Sequence, residues 1–108
     1  MTRLETETDF RRNLLLSVQR ALLGRVGPDL RRVTLDWNWN KRQSSITAIF
    51  DGPVSERDQE DMEIAHTEVI SDFPEVPNEL KLDLRIMRID TPEPVKGFGK
   101  VAVFERRE

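Results

Sequence analysis

Cysteine is absent from this 108-residue chain, which excludes disulfides, thiolate metal sites and thiol catalysis and accords with a reducing compartment. Histidine occurs once, as His66, too few for a multi-histidine centre. Long apolar runs are lacking near the start: Glu5, Glu7 and Asp9 precede only Leu14, Leu15 and Leu16. Neither a secretory leader nor a membrane span is therefore expected, and a cytoplasmic location is. A phosphate-cradling loop is missing too, because Gly24 and Gly27 enclose Arg25 and Val26 with no lysine and hydroxyl to follow, and no other cofactor motif stands in its place. Without repeats, low-complexity tracts or linkers, one domain over residues 1–108 is expected.

What is present is charge. Hydrophobic residues make up 37% and charged residues 34%, enough for one core beneath a strongly solvated surface. The net charge of −3 conceals an asymmetry: residues 1–32 carry +3, 33–50 carry +1 and 84–108 carry +2. Residues 51–83 hold eleven acidic and two basic side chains, a net −9. Such a field repels phosphate backbones and attracts cationic surfaces, so nucleic acid is not an expected partner for this segment. Two readings of the acidic run stay open at this point, a solvated helix face and a docking surface.

Phe10, Leu14, Leu15, Val18 and Leu22 recur at helical spacing after Asp9, a suitable N-cap, until Gly24 breaks the pattern. Arg32 to Asn40 alternates Val33, Leu35, Trp37 and Trp39 with polar residues, and Ile46, Ala48 and Phe50 alternate with Thr47 and Ile49. This predicts two strands joined as an antiparallel hairpin. Ser55 with Asp58 three residues on imitates a capping box, and Met62, Ala65, Val69 and Phe73 then share one helical face up to Pro74. Leu80 to Ile86 alternates as a third strand, after which Met87 and Ile89 break parity, predicting a bulge or burial on both faces. Val101 to Phe104 makes a short last strand. The expected fold is α+β, two helices packed on one face of a four-stranded, mostly antiparallel sheet in the order α-β-β-α-β-β, with the strand order in space undetermined.

Some pair of the many carboxylates will lie at the separation a hydrolase needs, yet none sits in an apolar setting that would raise its pKa, so paired-carboxylate catalysis is not the expected reading and no catalytic residue is assigned. Glu63 and His66 have the i, i+3 spacing of a helical metal pair, but one such pair does not build a metal site. His66 projects near the Met62 and Val69 stripe and reads as a partly buried, hydrogen-bonded histidine. Taking Met62 as the origin at 100° per residue, Ile64 falls at about 200°, on the far side of the helix among acids. The candidate partner-binding residues are accordingly Glu56, Glu60, Asp61, Glu63, Ile64, Thr67, Glu68, Ser71 and Asp72. An apolar centre with an electrostatic rim is how an interface is built, and a lone exposed isoleucine is also ordinary surface.

The segments ALLGRVGPDLRRV (Ala21 to Val33), IFDGPVSERDQEDMEIAHTEVISDF (Ile49 to Phe73) and the closing VAVFERRE resemble small cytosolic immunity proteins of bacterial polymorphic toxin and contact-dependent growth inhibition loci. The resemblance spans most of the chain. It implies a stoichiometric, non-enzymatic binder of a cognate toxin domain, and such systems commonly neutralise nucleases, which are cationic because they hold phosphate. The alternatives are a housekeeping adaptor, a hydrolase using Glu63, Glu68 or Asp72 around His66, and a nucleic-acid binder whose Arg11, Arg12, Arg20, Arg25, Arg31 and Arg32 cluster. The last lacks interleaved stacking aromatics. The charged surface favours a monomer, although an edge strand such as Val101 to Phe104 offers pairing with a second copy.

Overall fold

The computed structural model describes residues 6–41, 43–73, 81–97 and 99–108. Its elements are α1 (Glu7–Leu22), β1 (Leu30–Asn38), β2 (Gln43–Phe50), α2 (Glu56–Ser71), β3 (Lys81–Arg88) and β4 (Val101–Glu105). The N-cap of α1 is Thr6 rather than Asp9: the Thr6 hydroxyl accepts from the Asp9 amide at 3.1 Å. Asp9 lies instead in the first turn, where it and Glu7 face the positive end of the helix dipole. Ser55 caps α2 as expected, accepting from the Asp58 amide at 3.0 Å. Leu80 and Pro74 lie outside the described residues.

The sheet order is β3-β2-β1-β4. β1 and β2 form the antiparallel hairpin, with Leu35 opposite Ile46 and Val33 opposite Ala48, and β4 pairs antiparallel on the other side of β1. β3 runs parallel to β2, so two of the three pairings are antiparallel, as expected of a mostly antiparallel sheet, and the third makes the sheet mixed. The cause is a matter of length. Sixteen helical residues span about 24 Å at 1.5 Å each, nearly the extent of an eight-residue strand at about 3.3 Å per residue. α2 thus returns the chain to the starting end of β2, and the next strand must repeat that direction. β3 keeps a regular register from Lys81 to Arg88 with Ile86 and Met87 both half-buried, so the broken parity reflects cover on two faces and not a bulge.

Phe10, Leu14, Val18 and Ala21 of α1 and Met62, Ala65 and Val69 of α2 share one core with Val33, Leu35 and Trp37 of β1, Ile46, Ala48 and Phe50 of β2, and Leu82 of β3. Both helices therefore lie on the same face of the sheet. On the opposite face Thr34, Thr47 and Ile49 are buried as well. That cover comes from the connection between β3 and β4, which passes from one edge strand to the other across the hairpin. Arg32 Nη1 donates to the Val95 carbonyl at 3.1 Å, and the Lys100 amide donates to the Leu35 carbonyl at 3.0 Å. Gly99, at φ +85°, lies so close that a Cβ would stand 3.1 Å from both Thr34 and the Leu35 carbonyl, so only glycine lets the connection lie flat there.

Arg31 ties this connection down. Only 4% exposed, it sends Nε and Nη2 as a fork to the Glu108 carboxylate at 2.7 and 2.8 Å. Its Nη1 donates to the carbonyls of Ile89 and Glu93 at 2.7 and 2.8 Å, so all three nitrogens of the buried cation donate. The Arg31 hydrogen bonds hold the Glu108 carboxyl down from 4.5 to about 2. Asp51 is also lowered, chiefly by the Thr91 amide and then by Arg106. A carboxyl lowered on folding contributes stability above its unfolded pKa and loses it as pH falls through the folded value. Thermal melts should therefore show the melting temperature falling from pH 4.5 toward 2, and a Glu108→Gln chain should show a shallower fall across that window.

Candidate functional site

The nine sequence-predicted residues all lie on α2 or its C-cap, and the structure divides them into three groups. Glu68 and Asp72 face α1. Arg25 Nη2 meets Glu68 Oε1 at 2.9 Å, and Asp72 Oδ2 accepts from Ser17 Oγ at 2.5 Å and from Arg20 Nη2 at 3.1 Å. From Phe10 through Ser17 and Arg20 to Arg25 and Gly27 in the turn after α1, the partners run back from Phe73 through Asp72 and Glu68 to Asp58, so the helices are antiparallel. α2 has no basic residue in its own last turn, and Arg20 supplies the missing cation there. These two acids work within the fold.

Thr67 and Ser71 turn their hydroxyls back onto their own helix, donating to the carbonyls of Glu63 and Thr67 at 3.0 Å each. Ile64 points outward and is 45% exposed, as the helical arithmetic required. Around it Glu56 and Glu60 are exposed and Asp61 half-buried, and none of the three has an ion-pair partner among the described residues. Glu63 accepts only a long bond from Gln59 Nε2, 3.4 Å. Arg57 is the single cation of this helix, against Glu56, Asp58, Glu60, Asp61, Glu63 and Glu68. The negative field is concentrated on its first two and a half turns, away from the Arg20 and Arg25 bridges.

Sequence reasoning missed one feature of this surface. Leu23, the C-cap of α1, is 74% exposed, and Val26 follows it in the turn, also exposed. Gly27 packs so close to α2 that a Cβ would sit 3.2 Å from Asp58 Oδ1, which places this turn against the acidic end of α2. The same arithmetic that exposed Ile64 would have found Leu23, about 220° from Phe10 and opposite the buried face.

His66 Nε2 lies 2.6 Å from the Leu82 carbonyl, joining α2 to β3. A carbonyl only accepts, so Nε2 carries the proton. This is the half-buried, hydrogen-bonded role expected. The arginines named for nucleic-acid binding are drawn apart: Arg31 is buried on Glu108, Arg32 pairs with Glu105, Arg20 and Arg25 bridge to α2, and Arg12 meets Asp9 at 3.7 Å. A cleft of about 540 Å³ lies at the hairpin end between Asp36, Trp39, Ser45, Asp83, Arg85 and Lys100, remote from the α2 acids. Among the described residues no three His, Asp or Glu side chains are grouped to hold a metal, and no helix is long and apolar enough to cross a membrane.

The outward face of α2 is thus acidic around the exposed Ile64, and His66 is spent on the Leu82 carbonyl. The model of the MafI2 immunity protein family matches residues 11–108, and the chain belongs to that family. It is thus an immunity protein, one whose function is directed against a toxin. No curated protein matches the chain.

Proposed function

We propose that the chain acts in the cytoplasm by stoichiometric binding, without catalysis, and that the outward face of α2 docks on a cationic toxin domain of a polymorphic toxin or contact-dependent growth inhibition system. A nuclease is the toxin class whose phosphate-holding groups such a face would cover. The observation that carries the reading is Ile64, 45% exposed in the middle of unneutralised acids. Desolvating an isoleucine gives the interface its centre, while Glu56, Glu60, Asp61 and Glu63 supply the charged rim that steers a basic partner inward. Rapid association suits a protector that must bind before damage occurs. Glu68, Ser71, Thr67 and Asp72 border the same face.

The electrostatic part is tested by reversing Glu56 and Glu60 together, since both are exposed and neither bridges to α1. The association rate with the toxin domain should drop about tenfold at low salt and lose most of its salt dependence. A rate and salt slope equal to wild type would remove these acids from the interface. Glu68 is a poor choice for the same experiment, because its reversal also breaks the Arg25 bridge.

A further inference from the structure

Among the described residues no strand pairs with the outer edge of β3, and its charge sequence fits a second copy of itself. In the parallel pair with β2 the odd-numbered backbone groups face β2, a pattern the Ile89 amide continues by donating to the Phe50 carbonyl at 2.9 Å. The even-numbered groups of Leu82, Leu84, Ile86 and Arg88 therefore point away from the sheet. His66 takes one lone pair of the Leu82 carbonyl, and the groups of Leu84 and Ile86 have no partner among the described residues. Leu84, Ile86 and Met87 are half-buried at this edge. Ile70 is 44% exposed on the flank of α2 that also carries His66, above the same edge. The other edge strand, β4, has five residues and a register shift against β1, a poorer template than the eight regular residues of β3.

We propose that β3 pairs antiparallel with β3 of a second copy, with Leu84 on the two-fold axis, to form a continuous eight-stranded sheet. A two-fold axis perpendicular to the sheet keeps each side chain on its own face, and charge selects among the registers that overlap most of the strand. An axis through Asp83 sets Asp83 against its own copy and Lys81 against Arg85 of the partner subunit. An axis through Arg85 sets the two arginines face to face. With the axis through Leu84, Asp83 meets Arg85 of the partner subunit twice, in the positions between hydrogen-bonded pairs where side chains come closest. On the helix-bearing face Leu82 then lies opposite the partner's Ile86, and Leu84 opposite its copy. The Leu82 carbonyl retains its second lone pair for the partner's Ile86 amide. This surface is separate from the outward face of α2, so the dimer stands or falls independently of what that face binds.

Sedimentation velocity over a concentration series tests the pairing. Wild type should sediment as a monomer–dimer equilibrium, and Asp83→Arg or Arg85→Asp alone should weaken dimerisation about tenfold or more, because each turns two attractive contacts repulsive. The double reversal Asp83→Arg with Arg85→Asp should restore it. Both side chains are exposed, and an unchanged melting temperature verifies that each variant folds. A wild-type chain that stays monomeric to hundreds of micromolar overturns the proposal. A dimer indifferent to the single reversals, or not restored by the double one, overturns it equally.

Discussion

An Ile64→Asp chain should melt at the wild-type temperature and bind its toxin domain about thirtyfold more weakly, the equivalent of about 2 kcal/mol. The stability half of this expectation follows from position: Ile64 is 45% exposed and absent from the core, so the core packing does not depend on its side chain. The affinity half follows from chemistry. An apolar side chain at the centre of an acidic face yields its transfer energy only when a partner removes it from water, and an aspartate there would be a desolvated charge beside Glu60 and Glu68. Titration calorimetry against the toxin domain, run beside a thermal melt, separates the two. Leu23→Asp offers a second reading of the same surface, since Leu23 is more exposed and lies on the turn that packs against the acidic end of α2.

Arg31→Ala should be the most destabilising single substitution of a charged residue, at about 2 to 3 kcal/mol, which for a chain of this size lowers the melting temperature by about 10 to 20 °C. The loss does not come from an exposed ion pair, which would contribute little. It comes from a buried guanidinium that holds the start of β1, the connection after β3 and Glu108 at one point, satisfying two main-chain carbonyls that have no other donor among the described residues. Arg31→Lys should recover less than half of the loss, because an ammonium cannot present the fork to Glu108 and reach both carbonyls. Since the connection covers Thr34 and Ile49, the hydrogen exchange of β1 and β2 should accelerate in the alanine chain.

The helices and the hairpin were legible because their signals are local. The 3.6-residue stripes of α1 and α2, the alternation of Val33, Leu35 and Trp37, and the Ser55 cap each depend on neighbours within a few positions. The position of Ile64 was legible for the same reason. What escaped were relations across long separations. Nothing near Arg31 announces a partner 77 residues away, and its neighbour Arg32 made the pair look like surface charge. Glu68 and Asp72 read as free acids because Arg25 and Arg20 lie 43 and 52 residues earlier. The parallel placement of β3 depended on which end of the sheet α2 returns to, and periodicity carries no such information. Ile49 looked like a solvent-side strand residue until the β3–β4 connection was seen to cover that face.

On the proposed function, the outward face of α2 holds a basic toxin domain in a one-to-one complex. Its most direct test is titration of the toxin domain, purified from its complex with the wild-type chain, into wild type and into a chain carrying Glu56→Lys, Glu60→Lys and Ile64→Asp together. Wild type should bind with unit stoichiometry and an affinity that falls with salt, and binding should be lost in a triple variant that still melts as a folded protein. Wild-type affinity in that variant would place the toxin on another surface and remove the outward face of α2 from the interface.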